Sequence, residues 1–191
     1  MPSLMIHLLT AYKYHPNAPV LFYLGNIVPD SVDGWKEKDK THFREKTNRL
    51  CALRGLADTM DLGDTFSKGI LLHLFLDFYW DSYPMHNYIE NYDGDNWLLA
   101  YRHETALAGA WLFHHTKWSE KLWDGMLACP KSAYEKGHGV AKENVADFVE
   151  RNCKWLVENN IGPSSVFTPD FIEEFTDKVA VDFKNWLEST K

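Results

Sequence analysis

A histidine and an aspartate stand four residues apart in the apolar stretch ILLHLFLDFYW, at His73 and Asp77. Residues four apart on a helix project from the same face, so both side chains would point in one direction. Such a pair suits metal binding, because zinc takes imidazole nitrogen and carboxylate oxygen at about 2.0–2.2 Å. A buried hydrogen bond between the two side chains is the alternative explanation, and the spacing alone does not decide between them.

Three further polar residues lie on or beside apolar segments. His7 falls on the apolar side of a predicted first helix, where a polar group needs a partner. Asp30 closes the apolar segment PVLFYLGNIVP, and His42 follows KDKT. Taken singly, each has an ordinary explanation as a buried histidine, a helix cap or a surface residue. Together they are difficult to explain by packing. They therefore favour a metal site over a simple hydrogen bond between His73 and Asp77.

Helical periodicity dominates the elements that would position these residues, and no segment alternates as a strand would. The charged, glycine-containing segment SVDGWKEKDK is predicted to be a loop. An all-α, single-domain bundle of roughly seven helices over residues 1–191 accounts for the pattern. The predicted helices lie at the N-terminus, at 19–28, from Thr41 through RLCALRGLA, from Thr65 to Tyr83, at 95–115, at 119–128, at 143–158 and near the C-terminus.

Composition and charge narrow the functional classes. The chain is 45% hydrophobic, which is enough to fill a core. A net charge of −7 and the lack of a Lys/Arg run argue against nucleic acid as a stable partner. The N-terminus lacks the basic region of a signal peptide, and no apolar stretch approaches the ~18 residues of a membrane span. Three cysteines without a CxxC pair indicate a reducing compartment. We expect a cytoplasmic protein with no membrane span.

Four segments, in the order PSLMIHLL, FYLGNIVPDS, KDKTHF and HLFLD, resemble the zinc-dependent phospholipase C family, which is distantly related to the S1/P1-type nucleases. The resemblance implies an all-α fold with a cluster of two or three metal ions. By position, it implies that His42, His73 and Asp77 hold one zinc ion. It also implies that Asp77 bridges to a second zinc ion held by His7, and that Asp30 is either a further ligand or the base that orients the attacking water.

The chain departs from that family in two places. Secreted members use the free N-terminus of a tryptophan as a zinc ligand, whereas this chain begins Met-Pro-Ser. Asp39, three residues before His42, is the first substitute to consider as a ligand or catalytic group, and a solvated loop charge is the alternative. A third metal in that family needs a further histidine as well as a pair of a histidine and a carboxylate four residues apart. His86 and Glu90 have the spacing of the pair, but one histidine cannot fill both positions, so we do not expect a complete third site. The later histidines have no assigned role: His103, His114 and His115.

These features predict a metal-dependent hydrolase of phosphoric esters, similar to phospholipase C and to phosphodiesterases. Two zinc ions are the expected cofactor, with manganese and iron as alternatives. The substrate would be a small-molecule or lipid phosphoric ester, and Trp35 is a candidate contact that could stack on a base or enter a lipid interface. The alternative is a non-catalytic helical binding or scaffold domain with a structural metal site or a buried His–Asp network. The oligomeric state is not fixed by the sequence.

Overall fold

The computed structural model describes residues 1–134 and 142–189. Within these ranges the chain forms ten α-helices and two short 3-10 helices, and it contains no β-strand. The 3-10 helices span Val28–Ser31 and Lys131–Tyr134. The α-helices are α1 Leu4–Tyr14, α2 Val20–Gly25, α3 Trp35–Thr41, α4 Arg49–Thr59, α5 Thr65–Ser82, α6 Pro84–Asn91, α7 Trp97–His115, α8 Ser119–Leu127, α9 Lys142–Glu158 and α10 Pro169–Glu188. The all-α prediction is therefore confirmed at the level of fold class.

Helix α5 runs through the centre of the domain. Its apolar side chains point in all directions, as expected for a helix that is surrounded by others. It packs against α1, α2, α4, α6 and α10, and one continuous core of buried side chains surrounds it. The Asp64 side chain caps its first turn by accepting a hydrogen bond from the Ser67 N–H at 3.3 Å. In the described part of the chain, no helix combines the length and apolar character needed to cross a membrane.

Helices α2 and α5 approach each other closely because each carries a glycine at the contact. A Cβ added to Gly69 would overlap the backbone carbonyl of Phe22, and one added to Gly25 would overlap the carbonyl of Phe66. The Asn26 side chain then donates a hydrogen bond to the Gly69 carbonyl at 3.3 Å. This contact fixes the turn after α2 against the middle of α5, one turn before His73.

Two secondary-structure predictions for the segment between α2 and α5 are wrong. The segment SVDGWKEKDK is not a loop, since Trp35–Thr41 forms α3, which buries no side chain and so has no apolar periodicity. The next helix does not start at Thr41. It starts at Arg49, where the Asn48 side chain accepts from the Cys51 N–H at 3.0 Å. Phe43, with φ of 55°, interrupts the helical path between them.

The number of helices is also larger than predicted. The predicted helical segments did not include α3 or α6. Helix α6 begins directly at Pro84, which ends α5 and occupies the first turn of the next helix. A proline at such a position breaks one helix and starts another, so the chain changes direction at Pro84 and continues as a helix without an intervening loop.

Candidate metal centre

His73 and Asp77 lie on one face of α5 and are fully buried. The ring of His7, from α1, stacks on the ring of His73 with a centroid separation of 3.9 Å and an angle of 7° between planes. His7 is also fully buried, and its Nε2 is 3.5 Å from Asp77 Oδ1. The packing of α1 on α5 therefore brings together three of the five residues predicted from the sequence.

Asp30 and His42 complete the group from two short elements. Asp30 belongs to the 3-10 helix Val28–Ser31, and its side chain is 5% exposed. His42 follows the last residue of α3 and is fully buried. Its Nε2 lies 3.6 Å from Asp30 Oδ1 and 3.2 Å from Asp77 Oδ2. All five residues predicted as ligands are thus brought together in one buried cluster.

Backbone carbonyls fix the protonation of two imidazole rings. His73 Nδ1 lies 2.7 Å from the Asn26 carbonyl, and His42 Nδ1 lies 2.8 Å from the Lys38 carbonyl. A carbonyl oxygen only accepts, so in both rings Nδ1 carries the proton. In a neutral ring Nε2 is then an unprotonated acceptor. The two Nε2 atoms are 3.1 Å apart, so their lone pairs face the same small space.

Several buried polar atoms in this space have no hydrogen-bond partner. Neither ring nitrogen of His7 and neither carboxylate oxygen of Asp77 makes a hydrogen bond. An unsatisfied buried polar group costs about 1–3 kcal/mol, and more when it is charged. Such groups are retained where they have a ligand, and here the unpaired atoms are nitrogens and oxygens of the types that bind zinc.

Electrostatic interactions favour the protonation states that metal ligands need. Burial, reinforced by nearby His7, lowers the pKa of His73 from 6.5 to about 3, so its ring is neutral at pH 7. Burial opposes ionisation of Asp30, but the Lys38 ammonium and the His42 ring outweigh it and hold the pKa of this carboxyl well below its usual range. Burial also opposes ionisation of Asp77, and the surrounding imidazoles, His7 first, lower its pKa in the same way.

Two overlapping groups of three residues have donor atoms within 4.8 Å of one another. One group is His42, His73 and Asp77, the set that the phospholipase C resemblance implies for one zinc ion. Its donor atoms are separated by 3.1, 3.2 and 3.7 Å. Tetrahedral ligands at about 2.0–2.2 Å from zinc lie about 3.3–3.6 Å from each other, so the spacing fits a single ion.

The second group is His7, Asp30 and His73, which differs from the implied pairing of His7 with a bridging Asp77. The two groups share His73, whose Nδ1 is already bound to the Asn26 carbonyl. One Nε2 cannot serve both groups. A second ion beside the first would therefore depend on His7 and on the other oxygen of Asp77, which are 3.5 Å apart, with Asp30 nearby.

Basic side chains that sequence reasoning missed surround the cluster. Lys38 Nζ is 3.1 Å from Asp30 Oδ1. Arg44 lies 3.6 Å from Asp77 Oδ2 and donates to Asp81 at 2.9 Å. Burial opposes protonation of Arg44, but these carboxylates raise the pKa of its guanidinium further above its ordinary value. A signal was present in the sequence, because Lys38 and Arg44 stand within four residues of His42.

A cavity of about 430 Å³ opens beside the cluster, with Lys38 and Arg44 in its wall. Arg102, Trp35 and Asp39 also line it. A second cavity of about 270 Å³ is lined by Asp30 and shares Lys38 and Arg102 with the first, so the two form neighbouring lobes of one cleft. Asp30 borders the second cavity, whereas the four fully buried candidate ligands line neither cavity, so the cleft approaches the cluster at Asp30, beside Lys38.

The other candidate residues lie outside the cluster. Asp39 is partly exposed in the cavity wall, and its carboxylate is 3.7 Å from Arg44 instead of among the donor atoms. His86 and Glu90 form an exposed pair at 3.1 Å, and His103 is exposed. His114 Nε2 bonds the Leu156 carbonyl at 3.0 Å, and His115 stacks on Trp111. His138 lies outside the described residues.

The N-terminal amino group, which is a zinc ligand in secreted phospholipases C, lies at the edge of this region. The Met1 nitrogen donates to Tyr101 Oη at 3.1 Å and is 3.9 Å from Asp81. Burial lowers the pKa of this amine below its ordinary value. Tyr101 in turn donates to the Met1 carbonyl at 2.9 Å, so the start of the chain is fixed against α7.

Comparisons with protein-family models, with curated proteins and with solved structures find no significant match to this chain. The resemblance to zinc-dependent phospholipases C therefore rests on the four sequence segments alone. Membership of that family, and the specific phospholipase C or P1 nuclease fold, stay predictions.

Proposed function

We propose that this protein is a metal-dependent hydrolase of phosphoric esters. The observation that carries the proposal is the pair of unprotonated Nε2 atoms of His42 and His73, which face each other at 3.1 Å beside the Asp77 carboxylate, whose oxygens make no hydrogen bond. This arrangement is unfavourable without a cation between the three groups and suitable with one.

The chain supplies the ligands in a rigid form. His42 and His73 are oriented by carbonyl bonds to their Nδ1 atoms, an outer contact that is common for metal-binding histidines. With Asp77 they would hold one zinc ion, and His7 with the other oxygen of Asp77 would hold a second. When bound, such ions lower the pKa of a water molecule and offset the negative charge that develops on a phosphoryl group.

Other residues would act on the substrate and on the proton. Asp30 is ionised, borders the smaller cavity and can accept a proton from the attacking water or serve as a further ligand. Lys38 and Arg44 line the larger cavity beside the cluster and provide positive charge for a phosphoryl group. Asp39 lies 3.7 Å from Arg44, where its carboxylate would help to position that guanidinium.

Hydrolysis of bis-p-nitrophenyl phosphate, together with metal content, tests the proposal. Protein purified without added metal or chelator should contain zinc and release p-nitrophenol. Asp77→Asn should lose both properties, whereas His86→Gln, a change in an exposed histidine outside the cluster, should keep both. Absence of metal after incubation with zinc, manganese or iron, in protein with full helix content, would contradict the proposal.

The complete burial of four of the five candidate ligands favours a second candidate function. Structural zinc sites are closed, whereas catalytic sites keep a position open for water. In a helical binding or scaffold domain the same residues would hold a structural ion, or form a His–Asp network, without turnover. Metal that is retained, lost only with helix content and accompanied by no hydrolysis of any phosphoric ester would support this second function.

A further inference from the structure

Arg102 differs from the other two cationic side chains of the larger cavity. Lys38 is paired with Asp30, and Arg44 is paired with Asp81. Arg102 is exposed at the cavity wall, and within residues 1–134 and 142–189 no carboxylate lies within ion-pair distance of its guanidinium. Its five N–H donors are therefore free for an anion that enters the cavity.

The Arg102 guanidinium is held in place by an aromatic ring. Its central carbon lies 5.2 Å from the ring centroid of Trp35, within the usual range of a cation–π contact. Trp35 is the first residue of α3, Arg102 belongs to α7, and the Trp35 side chain is 55% exposed. A stacked guanidinium keeps the donors at its edge available, so this contact orients Arg102 without satisfying it.

The rest of the cavity wall is largely apolar. Met85, Trp97 and Leu98 line it, and Trp97 is 38% exposed. A volume of about 430 Å³ lies in the range of pockets that take a whole small molecule, and a phosphoryl group alone would fill only part of it. The cavity thus combines space for an apolar body with an unpaired cation on a wall shared by both lobes of the cleft.

We propose that Arg102 and Trp35 form a binding site for a second anionic group, carried on an apolar or aromatic substituent of the substrate. This inference rests on the proposed function for the identity of the reacting group, because the phosphoryl group would lie at Lys38 and Arg44. The carboxylate or second phosphate of the substituent would pair with Arg102, and its body would lie along Trp35 and Trp97. Because the chain carries a net charge of −7, attraction of an anionic substrate depends on the cationic side chains of the cleft and not on the overall charge.

Binding of 2-naphthoate and 2-naphthamide, which share one ring system and carry an anionic carboxylate or a neutral carboxamide, tests the site by calorimetry on the protein as purified. The wild-type protein should bind the anion about tenfold more tightly than the amide, as expected for one charge-assisted contact. Arg102→Met should remove this preference and leave amide binding in place. Arg151→Met, a change in an exposed arginine of α9 that lines neither cavity, should leave the preference unchanged.

Asp77→Asn separates this inference from the proposed function, because naphthoate could also bind a metal ion directly. A preference for the anion that persists in Asp77→Asn and disappears in Arg102→Met supports the site, whether or not the protein hydrolyses phosphoric esters. A preference that disappears in Asp77→Asn and persists in Arg102→Met overturns it. Equal affinity of the wild-type protein for the two compounds also overturns it.

Discussion

His42 and His73 present their Nε2 atoms to each other at 3.1 Å, while each ring donates its Nδ1 proton to a carbonyl on the opposite side. The two carbonyls belong to Asn26 and Lys38, which lie on different segments. Neither ring can turn to relieve the contact without breaking its hydrogen bond to a backbone carbonyl. The cluster is therefore fixed by the backbone around it and does not depend on a metal to orient its two central rings.

The number of bound ions should depend on which ligand is changed. Asp77 contributes one oxygen near His42 and the other near His7, at 3.2 and 3.5 Å. We expect about two zinc equivalents in the wild-type protein, one in His7→Asn and none in Asp77→Asn, measured by elemental analysis after dialysis. A wild-type stoichiometry of one that is unchanged in His7→Asn would remove His7 from the ligand set.

Substitution of Lys38 should increase metal affinity. The Lys38 ammonium is 3.1 Å from Asp30 Oδ1 and repels any cation bound nearby. Lys38→Met should therefore bind zinc about fivefold more tightly in a competition titration with a chelator, while its affinity for inorganic phosphate falls. Lys40→Met is the matched control, because Lys40 is exposed and paired with Glu37 at 2.8 Å. Equal zinc affinity for wild type and Lys38→Met would contradict the prediction.

Alanine at Gly69 should destabilise the protein and the cluster together. Its Cβ would overlap the Phe22 carbonyl, so α2 and α5 would have to separate. We expect a loss of about 3 kcal/mol in the free energy of unfolding by urea, at the upper end of overpacking effects. Zinc affinity should also fall, because the Asn26 carbonyl that orients His73 moves with α2.

Gly55→Ala provides the comparison for that variant. Gly55 is an exposed position within α4, and nothing lies within 4 Å of its added Cβ. The same substitution there should raise the free energy of unfolding by about 0.5–1 kcal/mol through helix propensity and leave zinc affinity unchanged. Similar effects of the two substitutions would show that the α2–α5 contact does not restrict Gly69.

A decrease in pH should destabilise the metal-free protein even above the pH range in which ordinary carboxylates titrate. The pKa of His73 is 6.5 ordinarily and about 3 in the fold, so between these pH values the unfolded chain binds a proton that the folded chain does not. The free energy of unfolding should then fall as pH decreases from 6.5, by up to about 1.4 kcal/mol per pH unit. The lowered pKa values of Asp30 and Asp77 add losses of the same sign below about pH 4.

Urea unfolding of chelator-treated protein at several pH values between 7 and 4 measures this dependence. His73→Asn should show a shallower decline between pH 6.5 and 4, because the titrating ring is gone. His86→Gln should follow the wild-type curve, since His86 is exposed and paired with Glu90 on the surface. A decline in His73→Asn as steep as that of the wild type would assign the acid sensitivity to other groups.

The sequence predicted best those site residues that are polar but lie within apolar stretches of the chain. His7, His73 and Asp77 interrupt apolar helical stretches, and a polar group in such a place needs a partner whatever the fold. The all-α class followed from the same periodicity. Asp30 and His42 were recognised as well, although Asp30 lies in a short 3-10 helix and His42 directly follows the short helix α3, neither of which has helical periodicity of its own.

The residues that were missed depend on how separate segments dock. Helix α3 buries nothing, so its charged sequence resembled a loop, and the position of Lys38 over Asp30 could not be derived. The unpaired Arg102 lies on α7, about sixty residues beyond His42 in sequence. Its approach to Trp35 depends on how the fold places α7 relative to α3, which local periodicity does not encode.

The packing of α1 has a consequence for the order of events during synthesis. All five candidate ligands lie within the first 77 residues, yet α1, which carries His7, packs along α10, the last helix described. Lys13 of α1 pairs there with Glu173 and Asp177. In a nascent chain all five candidate ligands are synthesised before α10, the helix against which α1 and its His7 pack. We therefore expect metal loading to be completed only after α10 has been synthesised.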